Sequence, residues 1–221
     1  MKLRAPLSNV ARAASPRREA RGPDPRLMQD IPTDPELLAA ARGGDAHAFR
    51  LLVERYEQAV AATVAGMLGR GDEAEDVGQE VFIQLFRSLD RYRGEAALGT
   101  YLRRIAINLS LNALKRRRRL AWRFPSRDQD REPLPEPATD PDAADAWETR
   151  EHVRAAIMRL APAHRAVVVL RMVDGCSTRE AAQILQIPEG TVMSRLSRAM
   201  KELERHLTPY RRDNSSGQEG G

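Results

Sequence analysis

Apolar residues recur at Phe49, Leu52, Val53, Tyr56, Val60, Val64 and Met67, spacings of three and four that place them on one helix face. Gly69 and Gly71 interrupt the run and predict its end. A second stripe, Val77, Val81, Phe82, Leu85 and Leu89, predicts a helix opening near Asp72. A third, Leu98, Leu102, Ile105 and Leu109, predicts a helix over about 98–114. Ala166–Leu170 is β-branched enough for a strand. No second strand-like run lies nearby to pair with it, so a buried helix is expected.

Further on the elements shorten. Ser177-Thr178-Arg179-Glu180 has the form of a capping box, in which the serine hydroxyl accepts from the helix's third amide and the glutamate reaches back. The short helix it opens would bury Ala181, Ala182 and Leu185. Ile187-Pro188-Glu189-Gly190 predicts a turn, with proline tolerated in the first turn of the next helix. There Val192 and Leu196 point inward, while Thr191, Ser194, Arg195, Ser197 and Arg198 are candidates for an outward, hydroxylated and Arg-bearing face. Two short helices of this kind match a helix-turn-helix that reads duplex DNA; an αα-hairpin with no ligand is the plain alternative.

Composition adds the boundaries. The 221 residues carry a net charge of +5, with 30% charged and 42% hydrophobic residues, ordinary for a chain that folds. Resolved along the chain the charge is uneven. Residues 1–33 carry +4 with several prolines and no apolar periodicity, residues 34–119 carry +2, and residues 120–147 carry −4 with five prolines. Residues 148–212 carry +5 and the last nine −2. The expectation is all-α: a disordered basic extension (1–33), a helical domain (34–119), a flexible acidic linker (120–147), a helix-turn-helix domain (148–210) and a disordered tail (211–221). Each domain is near the lower size limit for folding alone, so a partner is expected to supply part of the stability.

The same counts exclude several classes. A lone cysteine, Cys176, rules out an intramolecular disulfide framework or multi-cysteine metal site. The four histidines are scattered and form no local ligand motif. No run approaches the ~18 apolar residues of a membrane span, and no apolar segment near the start resembles a secretory signal. A cytoplasmic chain without cofactor, metal or small-molecule substrate is expected.

Two faces carry candidate chemistry. The second helix opens with Asp72, Glu73, Glu75, Asp76 and Glu80 and no basic residue. Some of this suits the positive helix terminus, but Glu73, Asp76 and Glu80 share a face, as a solvated surface, a protein-binding patch or a metal cluster would. On the third helix Arg104, Asn108, Asn112 and Arg116 lie four apart beside Tyr101. The basic run Lys115–Arg119 follows. An aromatic with amides and guanidiniums on one face is suited to stacking unpaired bases and neutralising phosphates; a solvated helix end is the alternative.

These residues resemble a known family, the bacterial RNA polymerase sigma factors of the extracytoplasmic-function (ECF) type. Asp76-Val77-Gly78-Gln79-Glu80-Val81-Phe82 is similar to the family's polymerase-binding helix. Arg93-Gly94-Glu95 through Leu98-Gly99-Thr100-Tyr101-Leu102 and Arg104-Ile105-Ala106-Ile107-Asn108 are similar to its promoter-opening segment. Leu160-Ala161-Pro162-Ala163-His164-Arg165 and Gly190–Ala199 are similar to its C-terminal helix-turn-helix. The resemblance implies that Asp76, Gln79, Glu80 and Phe82 dock on the clamp helices of the polymerase largest subunit. It implies that Arg93, Leu98, Tyr101, Arg104, Asn108, Asn112, Lys115 and Arg116 serve the −10 element. Thr191, Ser194, Arg195, Ser197 and Arg198 would read the −35 element, with the second domain beside the polymerase flap. The acidic linker would follow the polymerase's RNA path, and an anti-sigma factor would be the regulatory partner.

The sequence departs from the family pattern in places. Tyr101 stands where Trp is usual, Asn112 where Asp is common, Met193 where Lys or Arg is common, and Gln186 where the turn glycine is usual. A stand-alone duplex-DNA regulator, and a metal-dependent nuclease built on Glu73, Asp76 and Glu80, are the competing expectations.

Overall fold

The computed structural model describes residues 32–123 and 141–216, with side chains over 32–123 and 149–208. The predicted basic extension up to residue 31 and the linker over 124–140 lie outside the described residues. Eight α-helices follow in order: α1 (Asp34–Arg42), α2 (Ala46–Leu68), α3 (Asp72–Ser88), α4 (Leu98–Arg123), α5 (Pro141–Arg159), α6 (Pro162–Val168), α7 (Thr178–Leu185) and α8 (Glu189–Ser216). α6 continues into a π-helical turn, Val169–Val173. The all-α expectation holds across the described residues.

The first domain is built around α2. Asp45 caps it, accepting from the amides of His47 at 2.8 Å and Ala48 at 3.2 Å, and Gly69 ends it at φ +87°, a conformation that costs glycine little. Leu52, Val60, Val64 and Met67 of its predicted stripe are buried against α1, α3 and α4, each worth roughly 1.5–3 kcal/mol on burial. α1 went unread in the sequence, because its nine residues hold too few apolar positions for a period. It packs through Leu37, Leu38 and Ala41. Asp34, in its first turn, meets Arg55 at 2.5 Å and accepts from the Tyr56 hydroxyl; burial and that bond push the Tyr56 pKa up to about 12.

Three boundaries move. α4 runs to Arg123 rather than 114, because the basic run contains good helix formers and no proline lies between Leu98 and Pro125. α5 begins at Pro141, inside the predicted linker; proline is tolerated as a first helical residue. α8 continues to Ser216, into the predicted tail.

The sequence read two small domains on a flexible linker without fixing how they sit; from Asp34 onward the chain forms one compact unit. A single core runs from Leu37 and Leu52 through Leu102 and Ile107 to Val167, Val169, Leu170, Ala181, Ile184 and Val192. A smaller cluster, Ala156, Leu160, Val168, Ala199 and Leu203, holds α5, α6 and α8 together. Each domain therefore completes its burial on the other. The π-turn, closed by the Asp174 amide on Val169 O at 2.9 Å, inserts one residue per turn. Neighbouring valines 168 and 169 serve different clusters.

Candidate protein and nucleic-acid interfaces

The outer face of α3 is mixed rather than simply acidic. Asp76 and Gln79 are exposed. Glu80 is half-exposed and meets Arg87 at 3.2 Å. Glu73 turns away from them to α4, where it accepts from Arg116 at 2.8 Å and from Arg117. Burial raises its pKa, but the Arg116 hydrogen bond and Arg117 charge outweigh this and hold it below the usual carboxylate value. The expected shared face of Glu73, Asp76 and Glu80 thus divides. Among the described residues no group of three or more His, Cys, Asp or Glu is placed to hold a metal ion, so the nuclease alternative finds no support.

Phe82 is half-buried and lines an apolar groove of about 480 Å³ between α2 and α3, with Val53, Val60 and Ala74. The outward rings and alkyl groups are instead Ile83 and Phe86, the latter 60% exposed and edge-on to Phe49 at 5.2 Å. Both were missed. Their signal was legible, since Asp76, Gln79, Ile83 and Phe86 continue one helix face at steps of three and four.

A cleft of about 690 Å³ opens where the α3–α4 loop meets α4, with Arg91, Arg93, Tyr92, Tyr101 and Arg104 among its lining residues. Tyr92 anchors the loop through its hydroxyl to Ala96 O at 2.5 Å, and its carbonyl accepts from Arg42. Tyr101 is half-buried. Its hydroxyl lies 3.0 Å from Ser88 Oγ, its ring 4.9 Å from that of Tyr92, and the Arg104 guanidinium 5.2 Å from its ring centre. The ring is therefore held in place by a cation–π and an aromatic neighbour. Leu98, at 2% exposed, lies in the core as its place in the apolar stripe predicts, and this burial does not fit the −10 role the resemblance implied. Asn108, Asn112 and Lys115 are exposed as expected, while Arg116 is exposed but tied to Glu73.

In the second domain the capping box is complete, with the Glu180 amide 3.2 Å from Ser177 Oγ and the Ser177 amide donating to Glu180 Oε2 at 2.7 Å. These bonds hold the Glu180 carboxyl below its ordinary pKa. Ala181 and Ala182 are buried in α7 as expected, but the third buried residue is Ile184; Leu185 is half-buried. Gln186, standing where the family has a turn glycine, has a left-handed backbone, φ 54°. Ser194, Ser197 and Arg198 are exposed, whereas Thr191 and Arg195 are half-buried. Ser194 donates to Thr191 O at 3.1 Å, which spends its hydrogen on its own helix. Exposed Lys201 and Arg205, also missed, continue the basic edge of α8.

A helical unit with an exposed α3 face and an aromatic–arginine cleft, followed by a helix-turn-helix, has the form of a two-part transcription initiation factor. Sequence families agree: residues 52–120 match sigma-70 region 2 and residues 150–203 match sigma-70 region 4. The chain is 36% identical over 191 residues to the ECF RNA polymerase sigma-E factor of Escherichia coli K12, covering 82% of this chain and 98% of that protein. It is 32% identical over 189 residues to the RNA polymerase sigma-H factor of Pseudomonas aeruginosa, covering 81% and 96%. Of solved structures, CnrH in complex with the cytosolic domain of CnrY matches with a TM-score of 0.57 at 25% identity, over 78% of this chain and 96% of that one. The sigma factor RpoE of Bartonella quintana, in complex with the anti-sigma factor NepR, shares the fold with a TM-score of 0.55 at 23% identity, over 72% and 96%. The chain belongs to the sigma-70 family, in its ECF group. That family is one of transcription initiation factors. No described helix is long and apolar enough to cross a membrane.

Proposed function

We propose that the chain docks on core RNA polymerase through the α3 face of Asp76, Gln79, Ile83 and Phe86, with Glu80 and Phe82 at its edge. The observation that carries this is the exposed apolar pair Ile83 and Phe86 beside the exposed Asp76 and Gln79. The Tyr101–Arg104 cleft, with Arg93, Asn108, Asn112, Lys115 and Arg116, captures unpaired non-template bases of the −10 element. Unstacking a base costs a few kcal/mol, which the held ring and the cleft's hydrogen bonds offset. Arg198, Ser197 and the N-terminal turn of α8 read the −35 element in the major groove, with Lys201 and Arg205 on phosphates. The acidic connector follows the polymerase RNA path, the second domain lies beside the flap, and the protein works in the cytoplasm. An anti-sigma partner, such as the one in the Bartonella complex, restrains it.

Transcription in vitro with core polymerase and genomic DNA, read out by sequencing RNA 5′ ends, tests this. Initiation from one promoter class is expected. Asp76→Arg is expected to lower core affinity at least tenfold, about 1.4 kcal/mol, with unchanged thermal unfolding. Unchanged affinity would remove the docking assignment, and no initiation beside an active control sigma factor would remove the reading.

A further inference from the structure

α4 continues past the end of the bundle. From Lys115 to Arg123 every residue is exposed, so roughly two and a half turns of helix overhang the core. The basic run lies on this overhang, and its members are not alike. Arg116 and Arg117 are spent on Glu73. Lys115, Arg118 and Arg119 meet no carboxylate among the described residues. Beside them Trp122 stands 86% exposed.

A solvated helix end does not account for this group. Cations suit the negative helix terminus only within the last turn, and the last turn of α4 holds Arg123 alone of them. Lys115 is a like-charge neighbour of Arg118 and Arg119 at i,i+3 and i,i+4, which weakens the helix that carries them. An indole in water leaves its large apolar surface unburied. A polyanion with an apolar edge offsets both costs.

The spacing says which polyanion. The face of Tyr101, Arg104, Asn108 and Asn112 continues at steps of three and four through Lys115, Arg119 and Trp122. Arg118 lies one turn behind the indole on the same side. The sigma-70 region 2 match ends at residue 120, short of Trp122. From Tyr101 to Trp122 the axis runs roughly 31 Å, the length of about nine nucleotides at ~3.4 Å each. Stacking an unpaired base on Trp122 would therefore require about nine steps of duplex to open beyond Tyr101, each losing its own stacking. One indole makes good the loss of one base. Paired DNA at Trp122 carries no such cost. α4 leads through Arg123 to the connector and the helix-turn-helix, which puts the overhang on the −35 side of the cleft.

We propose that the α4 overhang, with Lys115, Arg118, Arg119 and Trp122, is a sequence-independent grip on duplex DNA between the −10 and −35 elements. The cations neutralise phosphates, which fixes position without reading bases. The indole covers a deoxyribose and donates its one N–H to a phosphate oxygen. The placement between the two elements rests on the promoter-reading function given above; the grip on duplex does not.

Trp122 reports its own contact. In the full chain, Trp147→Phe leaves it as the sole tryptophan. Titration with a duplex longer than the stripe and free of promoter sequence, without polymerase, is expected to change its emission saturably, with affinity falling as salt rises. Emission unchanged at saturating duplex overturns the grip. An equal response to poly-glutamate at matched charge also overturns it, marking an acidic protein as the partner. A response to single-stranded DNA alone overturns the assignment to duplex. Arg118→Gln with Arg119→Gln is expected to weaken duplex binding read at Trp122 at least tenfold and to reduce the slope of log affinity on log salt by about two. Thermal unfolding is not lowered, because both side chains are exposed; an unchanged slope overturns the phosphate contacts. With core polymerase, the same pair of substitutions is expected to lower initiation at least fivefold whatever the sequence between the two elements. Unchanged initiation overturns the placement, and a loss confined to one intervening sequence overturns the sequence independence. A wild-type chain inactive in initiation would refute the promoter reading and the placement with it, while Trp122 emission still judges the grip.

Discussion

Arg165→Met isolates the cost of unpinning α6 from α2. The guanidinium is buried, its residue 7% exposed, and it donates to Met67 O at 2.6 Å, Leu160 O at 3.2 Å and Met158 O. Burial, with the nearby Arg117 charge, lowers its pKa below the usual arginine value. Methionine retains most of the apolar stem but leaves three carbonyls without these donors, at about 1–3 kcal/mol for each one that stays buried. Against that, the mutation removes a buried charge whose Nε is unpartnered, a relief of up to several kcal/mol. The expected net loss is about 2–4 kcal/mol, because the carbonyl cost falls on three groups and the relief on one. For a chain this size that lowers Tm by roughly 4–16 °C. Urea unfolding at pH 7 measures it through a reduced midpoint at constant slope. Arg165→Lys, which keeps the charge but not the fork, is expected to recover less than half of the loss. A loss under about 0.5 kcal/mol in Arg165→Met would mean that water already serves these carbonyls, refuting the buried pin.

Three further outcomes follow from local geometry. Gln186→Gly removes a side chain from a left-handed backbone and should raise stability by about 0.5–1 kcal/mol; a lower Tm would contradict the strain. Burial raises the Cys176 thiol pKa, so a thiol reagent at pH 8 should label it at least ~100-fold more slowly in the native protein than in urea, and comparable rates would show the site open. Glu73 binds protons more weakly folded than unfolded, so its stabilisation is present above the unfolded value of 4.5 and is lost as pH falls below it through the folded value. Its arginine partners are at least half exposed, so Glu73→Gln should cost only about 0.2–1 kcal/mol at pH 7 and flatten the acid limb of the stability curve; an unchanged limb would show the pair contributes nothing.

Much of the molecule was legible from period and cap alone. The stripes of α2, α3 and α4 place their buried residues correctly because a helix buries every third or fourth position whatever it packs against. Ser177 and Glu180 announce α7 because capping is a contact between residues three apart. The site was legible as types of residue more than as geometry. Tyr101, Arg104 and Arg198 were singled out by residue type, Leu98 was read in the apolar stripe but also given a −10 role that its burial does not fit, and Ile83 and Phe86 were passed over although they share the face of Asp76.

What the sequence by itself determined is therefore the helices, their inward stripes, the caps and the order of a helix opening on carboxylates, a helix bearing aromatic, amide and guanidinium groups, and a capped helix pair. These depend on interactions within a few residues of the chain. What only the tertiary structure decided is where those faces point and what packs against them. Glu73 leaves the acidic patch for Arg116, Arg165 crosses to Met67, and Thr63 meets Asp174. Those partners are 43, 98 and 111 residues apart, and no periodic pattern records a contact at such a distance. Two domains too small to complete their burial separately were foreseeable; that each would complete it on the other required the packed chain.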